Sequence, residues 1–301
     1  MREVTLLDGG MGKALEELGA PFRQPEWSAL ALIEAPEYVT RAHEAFIDAG
    51  AEVIITNNYA VVPFHLGDTG FEEAGDELVD LAGRLARSAA DRAAGVRVAG
   101  SIPPLFGSYE PARFEPQRAP ILLGRIASAL APHVDLFVAE TQSCVAEAGA
   151  SLSAAAGFDL PRWVSATLED GGGPGGVDPW VEAARLRSGE TVADLCRVAI
   201  EGGAEAVLFN CSQPEVMTEA VRRARALLPD DVAVGAYANA FDDKPEIYAA
   251  NEVILGHRRD IEGAGFTRFV GEWIDAGATL VGGCCGVMPR HIAAVRRFLD
   301  G

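Results

Sequence analysis

The chain has 301 residues, 49% hydrophobic and 23% charged, enough apolar material for a large core. A formal net charge of -19 excludes the basic face that nucleic-acid binding needs and favours solubility. No stretch approaches the ~20 apolar residues of a membrane helix, and the charged Met1–Gly10 start is unlike a signal peptide, so a cytoplasmic protein with no membrane partner is expected.

Apolar runs rich in Val, Ile and Leu alternate with amphipathic stretches from one end to the other. The first predicted strand, Val4–Leu7, runs into Asp8-Gly9-Gly10-Met11-Gly12, and Ala20–Pro36 follows as a long loop holding Trp27. A helix over Tyr38–Ala49 leads to a strand over Val53–Thr56, then to a helix over Glu72–Ala93. Strands follow over Arg97–Gly100 and Leu136–Glu140, with a helix over Ile121–Ala131 between them. The fifth strand, Trp163–Leu168, opens into the glycine-rich stretch Glu169–Asp178, whose plainest reading is a flexible loop. The pattern continues as helix Val192–Glu201, strand Ala206–Asn210, helix Pro214–Leu227, strand Val232–Ala236, helix Gly265–Ala276, strand Thr279–Val281 and helix Pro289–Leu299.

Strand and helix in strict alternation imply a parallel sheet with crossover helices. Eight strands suit a single (β/α)8 TIM barrel over residues 1–301 better than an open doubly wound sheet. The turn at Asp8–Gly12 also lacks the G-x-G-x-x-G spacing of a dinucleotide site. Function is then expected at the carboxyl ends of the strands.

Five cysteines, an odd number, exclude a complete disulfide framework and leave clustered thiols for metal binding or catalysis. Cys211 follows the sixth predicted strand, and Cys284 and Cys285 follow the eighth, so all three fall on one rim. Three thiolates suit a soft tetrahedral ion such as Zn2+ and leave one coordination position open, as catalytic zinc sites do. Glycines around Cys284 and Cys285 would admit the dihedrals that bring neighbouring thiols to one ion. A strained vicinal disulfide and ordinary buried cysteines are the alternatives. Cys144 and Cys196, in helical segments, read as small buried hydrophobes. His43, His133 and His291 read as structural or surface residues, and His65, in the loop after strand two, is the one histidine kept as a site candidate.

Leu7-Asp8-Gly9-Gly10-Met11-Gly12, Thr56-Asn57-Asn58-Tyr59, Glu140-Thr141, Asn210-Cys211 and Gly282-Gly283-Cys284-Cys285-Gly286 occur in that order. In this the chain resembles the homocysteine S-methyltransferase family, through nearly all of its length. The resemblance implies that Cys211, Cys284 and Cys285 ligate zinc and that the sulfur of homocysteine takes the open position. A coordinating thiol is deprotonated by zinc, which supplies the nucleophile at neutral pH. It further implies that Asp8, Gly9 and Gly10 bind homocysteine, with backbone amides near its carboxylate, and that Glu140 pairs with its ammonium. A rim ion pair is the alternative role for Glu140. Asn210 is expected among the substrate contacts.

A cationic methyl donor is best held by aromatic faces, and the resemblance offers Trp27 and Tyr59, with Phe64 behind them. Two positions depart from the family. Asn58 stands where betaine enzymes carry an aromatic residue, and Tyr237-Ala238-Asn239-Ala240 replaces the more usual Tyr-Pro-Asn. With no cobalamin or folate domain expected in 301 residues, the implied donor is a small sulfonium such as S-methylmethionine or S-adenosylmethionine. Betaine or another donor, another thiol acceptor, and a non-catalytic zinc-binding barrel are the competing readings.

Overall fold

A computed structural model describes residues 3–21, 23, 25–170, 184–241, 258–262 and 264–301. Most of the glycine-rich stretch, from Gly171 onward, lies outside the described residues.

Eight parallel strands form the centre: β1 (Thr5–Leu6), β2 (Val53–Ile55), β3 (Arg97–Ile102), β4 (Leu136–Gln142), β5 (Arg162–Ala166), β6 (Ala206–Asn210), β7 (Ala233–Ala238) and β8 (Leu280–Gly283). Each pairs with its neighbours in chain order, and β1 pairs with β8 through Thr5 opposite Leu280. A parallel bridge between Leu7 and Val53 joins β1 to β2 and brings the sheet round on itself as a (β/α)8 barrel.

The period-2 alternation of each strand sorts its apolar side chains into two cores. Leu7, Val53, Val138, Trp163, Leu208 and Leu280 fill the barrel interior. Their chain neighbours Leu6, Ile54, Phe137, Val164, Val207 and Val281 point outward and pack under the helices. Runs such as Ala206-Val207-Leu208-Phe209 are apolar throughout because both faces of the sheet are covered.

The described helices of the outer layer are α1 (Met11–Leu18), α2 (Ala29–Glu34), α3 (Pro36–Asp48), α4 (Pro63–Ala90), α5 (Ala119–Leu130), α6 (Val145–Ala155), α7 (Val192–Glu201), α8 (Met217–Leu227), α9 (Ala264–Asp275) and α10 (Pro289–Asp300). Two of them depart from the sequence expectation at the start of the chain. The Asp8–Gly12 turn runs directly into α1, and the expected loop Ala20–Pro36 contains α2, which ends where Pro36 opens α3. Helix α4 starts at Pro63 rather than Glu72 and bends at Gly67, which hides its first turn from a periodicity count. That early start also moves His65 from a loop into the first turn of α4, where its Nδ1 donates to the Pro25 carbonyl at 3.0 Å. Among the described residues, no helix is long and apolar enough to cross a membrane.

Candidate active site

The carboxyl ends of the strands enclose a cleft with about 820 Å3 of empty space, part of it open to solvent. The three cysteines form one wall. Cys284 continues the inward line of β8 set by Leu280 and Gly282, and Cys285 follows it into a turn closed by Gly286 at φ 80°. Strand parity alone would turn Cys211 away from the cleft, since Asn210 before it faces inward. A φ of 51° at Cys211 reverses the chain direction and returns the thiol to the cleft. The three sulfurs lie within 4.8 Å of one another. Zn–S bonds of ~2.3 Å at tetrahedral angles place sulfurs roughly 3.8 Å apart, so small side-chain adjustments suffice and the donor set fits a thiophilic ion.

The thiols also act on one another electrostatically. Hydrogen bonds from Cys284 and Cys285, then from Thr141 and Tyr109, hold the Cys211 thiol well below the usual range against the opposing effect of burial. Hydrogen bonding with Cys211 and Cys285, together with burial, pushes Cys284 up. Thr141 Oγ1 donates to Cys211 Sγ at 3.7 Å. Thr141 is itself turned by a φ of 58° at the register shift between Ala139 and Gln142 in β4.

Two buried carboxylates share the cleft with the thiols. Asp8, at the end of β1, is 3% exposed and accepts from the Ile55 amide at 2.8 Å. Burial first, and then the nearby charge of Glu140, push its carboxyl well above the usual range, while the Ile55 amide opposes them. Glu140 comes from the inward line of β4 and accepts from Ser101 Oγ. Burial raises it to about 8, with Cys211 adding to the shift and Ser101 opposing it. A cation entering the cleft beside these two acids would favour the ionised form of both.

Asp8, Gly9 and Gly10 all line the cleft, but two of their amides are already bonded. The Asp8 amide is bonded to the Val53 carbonyl at 3.0 Å, and the Gly10 amide to Val287 at 2.8 Å, so neither is open to a ligand. Gly10 has another task. A Cβ there would lie 2.6 Å from the Cys284 carbonyl oxygen, so its missing side chain lets the cysteine turn settle against β1. Gly9 lines the cleft, and so do the next residues along the chain. Helix α1 starts after Gly10 with no side-chain cap, and Met11, Gly12 and Lys13 line the cleft at its positive end.

Trp27 and Tyr59 line the cleft as well, Tyr59 with its hydroxyl 2.5 Å from Ser108 Oγ. Asn210 does not. It is fully buried below the cleft, where its Oδ1 accepts from Ser165 Oγ at 2.8 Å and the Thr141 amide at 3.1 Å, and its Nδ2 donates to Thr141 Oγ1 at 2.8 Å. Its polar atoms position the Thr141 turn, and Nδ2 also reaches Cys284 Sγ at 4.0 Å. Asn58 is likewise buried, donating to the Ser101 carbonyl at 2.9 Å and accepting from Thr56 at 2.6 Å. Its side chain ties the β2 loop to β3 and does not face the cleft, so its identity bears on the donor only indirectly. His65 and Phe64 stand outside the cleft wall, Phe64 under the Arg113 guanidinium at 5.0 Å.

The sequence reading missed Tyr109 and Phe241 and named Tyr237 only within a departure from the family, yet all three line the cleft. Tyr237 had a usable signal, since it lies on the inward line at the end of β7. Tyr109 had none, because it sits in an irregular loop after β3.

The profile of the homocysteine S-methyltransferase family matches residues 5–299. Homocysteine S-methyltransferase 1 of Zea mays is 27% identical over 331 residues, covering 99% of this chain and 94% of its own length. Homocysteine S-methyltransferase of Escherichia coli K12 is 27% identical over 320 residues, covering 98% and 95%. The crystal structure of the metallated form of the homocysteine methyltransferase MmuM from Escherichia coli superposes with a TM-score of 0.78 at 24% identity, covering 99% and 96%, and shares the barrel. The chain belongs to the homocysteine S-methyltransferase family.

Proposed function

We propose that this protein, acting as one homocysteine-binding barrel domain, is a zinc-dependent enzyme that moves a methyl group from a small sulfonium donor to the thiol of homocysteine, giving methionine. The observation that carries this reading is the convergence, in one cleft, of three thiols, two buried carboxylates and the uncapped start of a helix. Each matches one group of the acceptor.

Asp8 and Glu140 receive the ammonium, whose charge lets both carboxyls ionise where burial otherwise keeps them protonated. The first-turn amides of Met11, Gly12 and Lys13 receive the carboxylate at the positive end of α1. That places the acceptor sulfur toward Cys211, Cys284 and Cys285, which would hold Zn2+. When bound, the ion keeps the acceptor sulfur as thiolate at neutral pH. No side chain then has to remove a proton during transfer. The sulfur attacks the methyl carbon in line, the donor S–CH3 bond breaks, and its electron pair stays on the departing sulfide.

Trp27 and Tyr59, both in the cleft wall, would receive the donor cation on their rings. The leaving group favours a sulfonium. A neutral dialkyl sulfide departs more readily than a tertiary amine, and the transfer needs no acid to assist it.

The test is a donor panel on zinc-loaded protein with saturating homocysteine, comparing S-methylmethionine, S-adenosylmethionine, dimethylsulfoniopropionate and betaine. S-methylmethionine should turn over fastest, and betaine outrunning every sulfonium would overturn the donor assignment. Metal analysis should find about one zinc per chain, lost when Cys211, Cys284 and Cys285 are all changed to Ser. Full retention of zinc by that variant would overturn the ligand assignment.

A further inference from the structure

Cys211, Cys284 and Cys285, if they hold a metal together with an acceptor thiolate, would present a donor with four sulfur nucleophiles, and only one should be methylated. Transfer to Cys211 would form an Sγ–CH3 bond, break the donor S–CH3 bond and send its electron pair to the donor sulfur. The product thioether is a poor ligand, and the molecule would be spent after one turnover.

The surroundings of Cys211 address that hazard. Its sulfur accepts from Thr141 Oγ1 at 3.7 Å and from the hydroxyl of Tyr109. A hydrogen bond into a sulfur lone pair withdraws electron density and lowers nucleophilicity without removing the metal bond. Tyr109 holds a backbone φ of 68°, costly for a large side chain, so something must keep it there.

Arg187 is placed to do so. Its guanidinium carbon lies 5.2 Å from the centre of the Tyr109 ring. The side chain is 11% exposed and Nη1 pairs with Asp170 at 2.7 Å. Nη2 is buried with no hydrogen-bond partner, which leaves the ring face as compensation on that side. Arg187 does not line the cleft. A cation over the ring face also polarises the phenol and strengthens donation from its hydroxyl. Loops after β3, β5 and β6 thus meet in one chain of contacts, Asp170 to Arg187 to Tyr109 to Cys211.

We propose that Arg187 is a positioning residue that acts through Tyr109 to quiet the Cys211 sulfur, so that the methyl group goes to the acceptor. The proposal rests on the reading of the cleft as a metal-held methyl-transfer site. Its test uses the metal-loaded protein with excess S-methylmethionine, and separately with iodomethane, both without acceptor. Peptide mass spectrometry reads methylation at Cys211 relative to Cys285 in the same molecules. Tyr109→Phe and Arg187→Gln should each raise that ratio about tenfold, the scale of one charge-assisted hydrogen bond. Arg187→Lys, which keeps the charge, should return part of the protection. An unchanged ratio in Tyr109→Phe overturns the proposal. That variant loses one hydroxyl and no charge, so it carries the test even if Arg187→Gln does not fold. Metal content is measured on the same samples. Wild-type protein without metal would overturn the metal reading, while the ratio still reports on the hydrogen bond at Cys211.

Discussion

The lower and upper halves of the barrel interior are built on opposite rules. Below, Leu7, Val53, Leu136, Val138, Ala206, Leu208 and Leu280 interlock as an apolar plug with regular strand geometry around it. Above, the same inward lines end in Glu140, Cys284 and Tyr237, with Asp8 and Cys211 beside them. Five non-glycine residues have positive φ among the described residues, and four of them, Trp27, Tyr109, Thr141 and Cys211, line the cleft. Burial of carboxylates and left-handed backbone both cost stability. The contrast teaches that the plug and the outer shell supply the surplus that the rim consumes, and that the rim's irregularities are held in place for chemistry.

The largest expected effect tests the lower half. Leu208 is fully buried in the plug, and Leu208→Ala should destabilise the fold by about 2–5 kcal/mol. Methyl transfer per folded molecule should stay unchanged. Urea unfolding together with active-site-normalised turnover checks both. A stable protein with altered turnover would mean that the two halves are not separable.

Next in size is the rim carboxylate. Glu140 is raised from 4.5 to about 8 in the folded protein. Below pH 4.5 folded and unfolded chains both keep the proton. Between 4.5 and about 8 only the unfolded chain releases it, so this residue's contribution to stability falls as pH rises through that window. Glu140→Gln in acceptor-free protein should remove a slope of about 1.4 kcal/mol per pH unit there. The same variant should weaken homocysteine binding by about 1.5–3 kcal/mol while leaving zinc in place. Stability profiles that coincide for the two proteins, or an unchanged homocysteine affinity, would assign Glu140 a purely structural role.

The smallest effect lies at the edge of the cleft. Trp27→Ala should cost the donor about 0.5–2 kcal/mol, seen as a higher KM for the sulfonium. Homocysteine affinity should not move. If both substrates weaken together, Trp27 shapes the rim as a whole and is no receptor for the cation.

Much of this was readable beforehand. The β6 bounds Ala206–Asn210 and the α7 bounds Val192–Glu201 agree with the periodicity, because an apolar run covered on both faces and an amphipathic helix each carry their own signal. The meeting of Cys211 with Cys284 and Cys285 was readable too, since strand ends in a parallel barrel share one rim. Side-chain direction beyond the strand ends was not readable. Asn210 and Asn58 were expected to bear on substrate, yet their side chains knit the loops from below, while Tyr109 entered from a loop with no period.

The succession of eight strands was determined by the sequence alone, through periods of 2 and 3.6 residues that each segment carries by itself, and the identity of the three thiols by their place at the ends of the sixth and eighth strands. Tertiary structure decided which amides are already bonded, which asparagines turn inward and which thiol is the most buried. Those outcomes depend on single left-handed residues such as Thr141 and Cys211, and on close approaches such as Gly10 to Cys284. One reversed φ redirects every group after it, and only the packing of distant segments makes that reversal affordable.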